Sequence, residues 1–256
     1  MFNPKISIIT VCFNAVRSIE KTILSVINQT YNNIEYVIID GSSTDGTIDI
    51  IRKYENRISY WKSEPDMGIY DAMNKGIMKI TGDFVNFMNA GDTFFSDTVI
   101  SELVPQIQKN SIILYGDTMC VYSIGEKILK PNSLELMRKC MFFNHQSSFA
   151  ETKTMKSMLF DTSFKLCADY KFHYDLYMKG LKFQYIPLII ARYDAQNGVS
   201  SKQIPMMYKE YGRIQGKTNS LIWIFLYQYK IALYKLKSFI KIFVPDIILK
   251  RKNRIK

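Results

Sequence analysis

The chain has 256 residues, of which 47% are hydrophobic and 22% charged, and its formal net charge is +11 at pH 7. That length fits one sizeable domain with an appendage, and that composition excludes an intrinsically disordered chain. With 7 Pro and 12 Gly and no repeat of solenoid period, collagen-like, linker-like and repeat proteins are also excluded.

The positive charge is concentrated at the C-terminal end of the chain. Residues 202–256 contain 13 Lys and Arg against 2 Asp and Glu, whereas residues 1–201 contain 21 of each sign. We therefore expect a neutral main domain at residues 1–201 and a basic tail at residues 202–256.

The cysteines and the N-terminus indicate a cytoplasmic protein. The apolar stretch near Met1 is too short for a signal peptide, and the cysteines form no CxxC pair and no zinc-finger spacing. Reduced thiols are expected in that compartment. The cysteines are Cys12, Cys120, Cys140 and Cys167.

The first part of the chain alternates between strand and helix patterns. Continuous β-branched runs predict buried strands, and apolar residues spaced three and four apart predict helices. Ser18 is the candidate N-cap of the first helix. The alternation predicts a parallel sheet with right-handed crossovers. Strands are expected at residues 5–13, 35–40, 58–64 and 84–88, and helices at residues 18–29, 47–54 and 70–80.

The stretch from residue 96 to residue 201 is less regular. Strands are expected at residues 111–115 and 183–190, and a helix at residues 169–179.

Small and polar residues follow each of the first four predicted strands. The carboxyl ends of parallel strands meet at one edge of a sheet, and ligands bind there. Carboxylates and amides at such an edge suit a pocket for a base and a ribose. The residues concerned are Thr10, Asn14, Asp40, Ser42, Ser43, Asp45, Glu64, Asp66, Gly68, Asn89 and Asp92.

A structural role is the alternative for each of these residues. The sequence from Asp40 to Gly46 is turn-forming by composition, and Asp45 could simply cap the helix that begins at Thr47. The chain contains neither GxGxxG nor GxxxxGK[ST]. Phosphates would therefore need a metal or cationic side chains.

Four segments, in order, resemble the successive motifs of the family 2 glycosyltransferases: SIITVCFNA, VIIDGSSTDGT, SEPDMGIYDAMNKGI and GDFVNFMNAGD. The resemblance covers about residues 5–200 and is to bacterial polysaccharide-assembly members. It implies the GT-A fold, an α/β architecture with a Rossmann-like, mostly parallel sheet flanked by helices. It also implies that a sugar of hexosyl type is transferred, with inversion, from a nucleotide-sugar donor, commonly a UDP-sugar.

The resemblance, taken with the polar residues at the sheet edge, implies a set of donor-binding residues. His145 could contact the diphosphate, the metal or the acceptor, whereas His173 is expected to be a packing or surface residue. Arg192 is a weaker candidate for the phosphates, and the segment from Asn197 to Ser200 resembles a loop that closes over them. The nucleotide-sugar residues are Thr10, Asn14, Asp40, Ser42, Asp45, Gly68, Asp71, Asn74, Asn89, His145 and Ser200.

The metal and base positions depart from the family pattern. The family usually has Asp-x-Asp where this chain has Asn89-Ala90-Gly91-Asp92, so one carboxylate is left. Asp92 with the substrate phosphates could hold Mn²⁺ or Mg²⁺; the alternative is that Asp92 merely closes a turn. The resemblance makes Asp169 the general base, although Ala168 replaces the usual Glu. Its alternative is an N-cap role, which would not exclude catalysis.

The tail pattern predicts a basic amphipathic helix that begins at Leu221 and ends at Pro245. Apolar residues recur on one face, and its longest apolar run is well short of the ~18 residues that span a bilayer. We expect residues 218–256 to lie on the membrane surface; packing on the main domain or in a homo-oligomer is the alternative. The apolar face contains Phe225, Tyr229, Ala232, Leu236, Phe239, Ile240 and Phe243, with Lys230, Lys237 and Lys241 opposite.

The resulting hypothesis is an enzyme at the inner face of the cell membrane. It would extend a lipid-linked or growing polysaccharide acceptor in capsule, exopolysaccharide or O-antigen synthesis. The alternative is a non-catalytic, nucleotide-binding relative that scaffolds an assembly complex. A nucleic-acid partner is not expected, because the main domain is neutral and the basic helix carries aromatic residues opposite its charges.

Overall fold

The computed structural model describes residues 3–123, 125–195 and 203–243. The chain divides into two compact units, residues 1–198 and residues 199–256. The strands of the larger unit are β1 (Ile6–Cys12), β2 (Ile34–Asp40), β3 (Tyr60–Ser63), β4 (Phe84–Phe87), β5 (Thr93–Phe94), β6 (Ile113–Tyr122), β7 (Gly125–Leu129), β8 (Ser148–Glu151) and β9 (Phe183–Asp194). Its helices are α1 (Ile19–Ile27), α2 (Thr47–Lys53), α3 (Ile69–Ile77), α4 (Val99–Leu103), α5 (Thr152–Met158) and α6 (Ala168–Met178).

These strands form one mixed sheet in the order β3-β2-β1-β4-β8-β6-β9-β5, with β7 paired to β6. The pairs β1–β2, β1–β4, β2–β3 and β6–β9 are parallel, and β8 joins the two halves by antiparallel pairing with β4 and β6. The predicted α/β architecture with a mostly parallel sheet flanked by helices is confirmed.

The central strands are apolar because the sheet is covered on both faces. Every residue of β1 is buried, and α1 turns Ile19, Ile23 and Val26 towards the core. The register sets Cys12 beside Asp40 and Asp40 beside Ser63. The carboxyl ends of β1, β2 and β3 are therefore level, and their loops form one rim.

Several predicted elements differ from the structure in extent. β6 and β9 continue to Tyr122 and Asp194, well past the predicted strand ends, because each remains paired with the other along that length. Ser18 stands at the N-cap position of α1, but its hydroxyl donates to the backbone oxygen of Ala15 and caps no helix N–H. The sequence did not indicate α4, β5, α5, β7 or β8.

The smaller unit contains α7 (Ile204–Ile214) and α8 (Leu221–Phe243). Gly212 lies so close to Trp223 that an added Cβ would stand 2.1 Å from a ring carbon. The helix predicted from Leu221 is present as α8, whereas α7 was not predicted; Pro245 lies outside the described residues. Within the described part of the chain, no helix has the length and apolarity to cross a membrane.

Candidate active site

The loop after β2 is organised by Asp40. This buried carboxylate accepts hydrogen bonds from the Ser43 backbone N–H at 2.9 Å and from the Ser63 hydroxyl at 2.7 Å. The Ser43 hydroxyl and the Cys12 thiol also donate to it. Asp40 therefore fixes the shape of the rim, and its predicted contact with the nucleotide sugar stays a prediction.

Asn14 and Asp45 join the loop after β1 to the loop after β2. The Asn14 side-chain oxygen accepts from Thr44 N–H at 3.0 Å, and Asn14 itself has a left-handed backbone with φ 46°. Asp45 accepts from the backbone N–H groups of Val16 and Thr47, each at 3.0 Å. Asp45 therefore bonds the first N–H of α2, at Thr47, although Gly46 and not Asp45 stands at the N-cap position.

Thr10 and Ser42 occupy different depths of this rim. Thr10 is fully buried, and its hydroxyl donates to the backbone oxygen of Met88 at 2.7 Å. Thr10 thus joins β1 to the end of β4, and its predicted part in nucleotide binding stays a prediction. Ser42 is nearer the surface, since it is only half-buried, and its backbone is left-handed with φ 65°.

The loop between β3 and α3 packs against the same rim. A Cβ added to Gly41 would stand 2.5 Å from Oδ2 of Asp66, so the two loops touch at this glycine and a larger residue would have to displace the Asp66 side chain. Asp66 accepts from the N–H of Gly68 at 2.8 Å, and Gly68 has φ 119° and ψ 173°, a conformation that glycine tolerates. This places the N-terminus of α3 beside the loop after β2.

Asp71 and Asn74 are engaged within the protein. Asp71 accepts from Met67 N–H at 3.0 Å and pairs with Lys75 at 3.3 Å. Both polar atoms of the Asn74 amide bond to the backbone of Phe160, each at 2.9 Å. Asn74 therefore joins α3 to the segment after α5, and its predicted place in the donor pocket is not tested by these contacts.

A second group of polar side chains lies where β4 ends and α6 begins. Nδ1 of His145 is 3.2 Å from Oδ2 of Asp169. Nε2 of His145 is 3.1 Å from Nδ2 of Asn89, which follows β4. His145 thus links Asn89 to Asp169, while the neighbouring Gln146 donates to Asp92, whose backbone N–H donates to the backbone oxygen of Asn89. These five residues, Asn89, Asp92, His145, Gln146 and Asp169, are called the transfer cluster.

Asp169 is also held through its other oxygen. Oδ1 accepts from the Tyr70 hydroxyl at 2.9 Å and from the Tyr170 backbone N–H at 2.8 Å. Burial by itself would raise the pKa of Asp169, but the bonds from His145, Tyr70 and Tyr170 outweigh burial and hold it below its ordinary value. Asp169 is therefore ionised at neutral pH and can accept a proton.

Asp92 is the buried carboxylate of the transfer cluster. Its Oδ2 accepts from the side-chain amide of Gln146 at 2.8 Å, and its backbone oxygen accepts from Thr22 of α1 at 2.7 Å. Burial raises the pKa of Asp92 to about 6, against the smaller lowering effect of Gln146. A carboxylate this poorly hydrated gains more from a bound cation than an exposed one does.

The sequence of this chain matches the family model "Glycosyl transferase family 2" over residues 7–167, which is more than half of its length. The chain belongs to glycosyltransferase family 2. An uncharacterized glycosyltransferase of Mycobacterium tuberculosis is 31% identical over 176 residues, covering 66% of this chain and 67% of the relative. A PGL/p-HBAD biosynthesis glycosyltransferase of the same organism is 25% identical over 223 residues, covering 80% and 86%.

Solved structures agree with the fold of a family 2 glycosyltransferase. Staphylococcus aureus TarS in complex with UDP-GlcNAc has a TM-score of 0.65 and 17% identity, over 82% of this chain and 66% of that chain. The mannosyltransferase PcManGT of Pyrobaculum calidifontis, in complex with GDP-Man and Mn²⁺, has a TM-score of 0.64 and 15% identity, over 83% and 65%. The predicted GT-A fold and the glycosyltransferase class are confirmed, and this chain spans just under two thirds of those solved chains.

The oxygen atoms that Asn89 and Asp92 of this family 2 glycosyltransferase offer are ligands that suit a hard divalent cation. The Oδ1 atom of Asn89 is buried and has no hydrogen-bond partner in the described part of the chain. It lies in the same cluster as the Asp92 carboxylate, and oxygen ligands of these types are those that Mg²⁺ and Mn²⁺ prefer. The described residues contain no group of three or more His, Cys, Asp or Glu that could hold a metal. Substrate oxygens would have to complete the coordination.

The remaining predicted residues border the transfer cluster, pair elsewhere or lie outside the described residues, and His173 borders it because its Nδ1 lies 2.7 Å from the backbone oxygen of Asp169. His173 is buried, and burial lowers its pKa to about 4, so it is a neutral packing residue as expected. Arg192 pairs with Glu126 of β7 at 2.7 Å. Ser200 and the segment beginning at Asn197 lie outside the described residues.

Sequence reasoning missed two side chains that contact the predicted base and metal positions. Tyr70 contacts Asp169. It was missed although it stands in YDAMN, part of a segment that carried the resemblance. Gln146 contacts Asp92 and directly follows His145. Their place in those motifs was a signal, but the partner of each is far away in the sequence.

Proposed function

We propose that the protein is an inverting hexosyltransferase that moves a sugar from a nucleotide-sugar donor, of the UDP class, to a hydroxyl of a lipid-linked or growing polysaccharide. The observation that carries this proposal is the transfer cluster. It brings an ionised carboxylate, Asp169, into one hydrogen-bonded group with the candidate cation site at Asn89 and Asp92.

The proposed reaction is a single displacement. Asp169 takes the proton of the acceptor hydroxyl while that oxygen bonds to the anomeric carbon of the donor sugar. The bond from that carbon to the diphosphate oxygen breaks, and its electron pair leaves with the nucleoside diphosphate. Attack from the side opposite the leaving group inverts the anomeric configuration.

Asp92 and the side-chain oxygen of Asn89 would hold the divalent cation. When bound, such a cation supplies positive charge for the departing diphosphate. The loops after β1, β2 and β3 would hold the nucleotide, because they form one rim at the carboxyl edge of the sheet. The nucleotide-sugar class is supported by the structural neighbours, which hold UDP-GlcNAc and GDP-Man.

The test is a panel of UDP- and GDP-sugars scored for thermal stabilisation with and without Mn²⁺, followed by nucleotide release with saccharide acceptors. We expect one donor to raise the melting temperature, since a ligand that binds only the native state stabilises it. Asp169→Asn should keep this stabilisation and lose about 10²–10⁴-fold in kcat. Asp92→Asn should lose the Mn²⁺-dependent part of the stabilisation.

Two results would overturn the proposal. One is wild-type turnover by Asp169→Asn, which would remove the base. The other is donor binding by the wild type without turnover on any acceptor, which would favour the non-catalytic scaffolding relative.

We also propose that residues 218–256 lie on the inner face of the membrane, where a lipid-linked acceptor is found. α8 exposes large apolar side chains in the described part of the chain: Phe225 is 71%, Tyr229 56% and Leu236 54% exposed. The tail also carries the whole excess of positive charge. An exposed apolar face together with basic residues is typical of helices that lie in a lipid interface.

A further inference from the structure

We propose that His145 is a positioning residue that aims one oxygen of the Asp169 carboxylate at the acceptor hydroxyl, with Tyr70 fixing the other oxygen. This inference deepens the proposed function and rests on it. It is an alternative to the expectation that His145 contacts the diphosphate, the metal or the acceptor.

The two oxygens of Asp169 are not equivalent. Oδ1 accepts from Tyr70 and from the Tyr170 backbone, which are the donors that a carboxylate oxygen's two lone pairs can take. Oδ2 has His145 Nδ1 at 3.2 Å. Within the described residues Oδ2 has no second donor, so its other lone pair is the place where an acceptor proton can arrive.

The ring of His145 is held by a hydrogen bond at each nitrogen, and turning the ring would break these bonds. Because the ionised Asp169 only accepts, Nδ1 carries the hydrogen and Nε2 is the acceptor. Nε2 meets the side-chain N–H of Asn89 at 3.1 Å. Both ring nitrogens are thus used by the protein, and a bond to a diphosphate would have to break one of these contacts.

The three groups that hold the carboxylate come from separate elements. His145 belongs to the short 3-10 turn His145–Ser147, Tyr70 to the first turn of α3, and Tyr170 to the first turn of α6. The Tyr70 hydroxyl oxygen also lies 2.8 Å from the backbone oxygen of Leu166, just before α6, so its single hydrogen is shared between Leu166 and Asp169. The direction of the base therefore depends on how α3, α6 and the turn are packed together.

Positioning of this kind should appear in kcat rather than in donor affinity. A base displaced by about 1 Å can lose on the order of 10²-fold in rate. The donor contacts proposed for the rim loops do not involve His145, so the donor KM should stay within about twofold of the wild type, a change of roughly 0.4 kcal/mol.

The kinetic experiment compares three substitutions of His145 in the full chain, using the donor selected by the nucleotide-sugar panel. Asn places an amide N–H two bonds from Cβ, as Nδ1 is, whereas Gln places it one bond further, near Nε2. We expect His145→Asn to keep kcat within about threefold, and His145→Gln and His145→Ala to lose roughly 10–100-fold. Tyr70→Phe should lose about tenfold, since it removes one hydrogen bond to a charged group.

A second measurement needs no substrate. The chain has 2 histidines, so the imidazole nitrogens of His145 can be assigned by ¹⁵N NMR against a His173 variant. We expect the Nδ1–H form in the wild type and a loss of this preference in Asp169→Ala. This readout holds even if some variants fold less well.

The outcomes separate this inference from the proposed function. If Asp169→Asn is inactive but His145→Ala keeps the wild-type kcat, the positioning role is wrong and the base remains. If His145→Ala raises the donor KM at unchanged kcat, His145 is a donor contact and the inference is overturned. A greater rescue by Gln than by Asn, or an Nε2–H form of the wild-type ring, would overturn it as well.

Discussion

The ionisation of Asp169 depends on its neighbours, and this gives a pH prediction at the scale of single residues. Burial raises its pKa, and the bonds from His145 and Tyr70 lower it by more. Removing either donor should therefore raise the pKa of Asp169. Because the base works only when ionised, the acidic limb of the kcat/KM profile should move to higher pH in His145→Ala and in Tyr70→Phe.

The measurement is the pH dependence of kcat/KM for the wild type and both variants. His145→Asn serves as the comparison, since it retains a donor to Asp169 but not the charge of the ring, and should move the limb less than His145→Ala does. An acidic limb that moves to lower pH in His145→Ala would contradict the stated cause.

Glu35 is a structural carboxylate at the opposite edge of the sheet. It accepts from the Ser7 hydroxyl at 2.6 Å, from the Thr81 backbone N–H at 2.6 Å and from Lys5 at 3.1 Å. Burial would raise its pKa, but these bonds outweigh burial and hold the pKa at about 2. Glu35 thus joins the starts of β1 and β2 to the turn before β4.

We expect Glu35→Gln to lower the free energy of unfolding at pH 7 by about 2–3 kcal/mol, because it removes charge-assisted bonds in a buried site. A carboxyl whose folded pKa is depressed stabilises above its unfolded pKa and loses that contribution as pH falls through the folded pKa. The wild type should therefore lose stability between about pH 4.5 and 2, and the variant should lose less there.

Urea unfolding at several pH values measures this effect. Glu135→Gln is the matched control, since Glu135 is exposed and should change stability by at most ~0.5 kcal/mol. Equal effects of both variants would show that the Glu35 bonds contribute little.

For single residues, the sequence predicted which polar residues are candidates for the site, but not their hydrogen-bond partners. Thr10 and Asn74 were predicted to bind the donor, which stays a prediction, and the sequence did not indicate that they bond to the backbone of Met88 and Phe160. Asp92 and His145 were predicted as site residues and belong to the transfer cluster, while the contact between Asp92 and Gln146 was not foreseen. Such pairs depend on side-chain directions across strands, which residue order does not specify.

At the scale of elements, the packing of α7 on α8 depends on a glycine. Because a Cβ on Gly212 would lie 2.1 Å from the Trp223 ring, Gly212→Ala must displace the ring or separate the helices. We expect Gly212→Ala to lower the free energy of unfolding of this helix pair by about 1–3 kcal/mol, the usual cost of overpacking. Thermal unfolding followed by circular dichroism and Trp fluorescence measures it.

A double variant supplies the control for this prediction. Trp223→Leu alone should destabilise the pair through lost packing, and adding Gly212→Ala to it should cost less than in the wild type. Additive effects would mean that the clash is not the cause.

Helices and strands were predicted well where their sequence carries a regular apolar pattern. β1 and β2 were predicted closely because strands covered on both faces are continuously apolar. β8, of 4 residues, was missed because a segment so short has no periodicity to detect. It nevertheless joins the two halves of the sheet and directly follows the turn that carries His145.

At the scale of the whole molecule, the separation of charge along the chain predicts behaviour at a lipid surface. The full chain should bind vesicles of anionic phosphatidylglycerol more tightly than neutral phosphatidylcholine vesicles, and less tightly as salt rises. Phe225→Glu should weaken binding about tenfold or more, since burying a large apolar side chain contributes roughly 1.5–3 kcal/mol. Co-sedimentation measures both effects.

Gln203→Glu is the matched control because it makes the same charge change at an exposed position just before α7. It should leave vesicle binding within about twofold of the wild type, well under 1 kcal/mol. If Phe225→Glu instead leaves vesicle binding unchanged and dissociates an oligomer in sedimentation experiments, the apolar face of α8 is a subunit contact.

The sequence by itself determined the family, the α/β class, the polar edge of the sheet and the unequal charge of the main part and the tail. These are properties of residue type and local period, which the printed order contains. Only the tertiary structure decided that Asp169 meets His145 and Tyr70, and that Asp40 and Asn74 hydrogen-bond within the protein. The physical reason is that such contacts arise when helices and strands distant in sequence pack together. Packing then fixes the direction in which each side chain points. The charge of +11 was evident from the start, and the structure added an exposed apolar face on the helix that carries part of it.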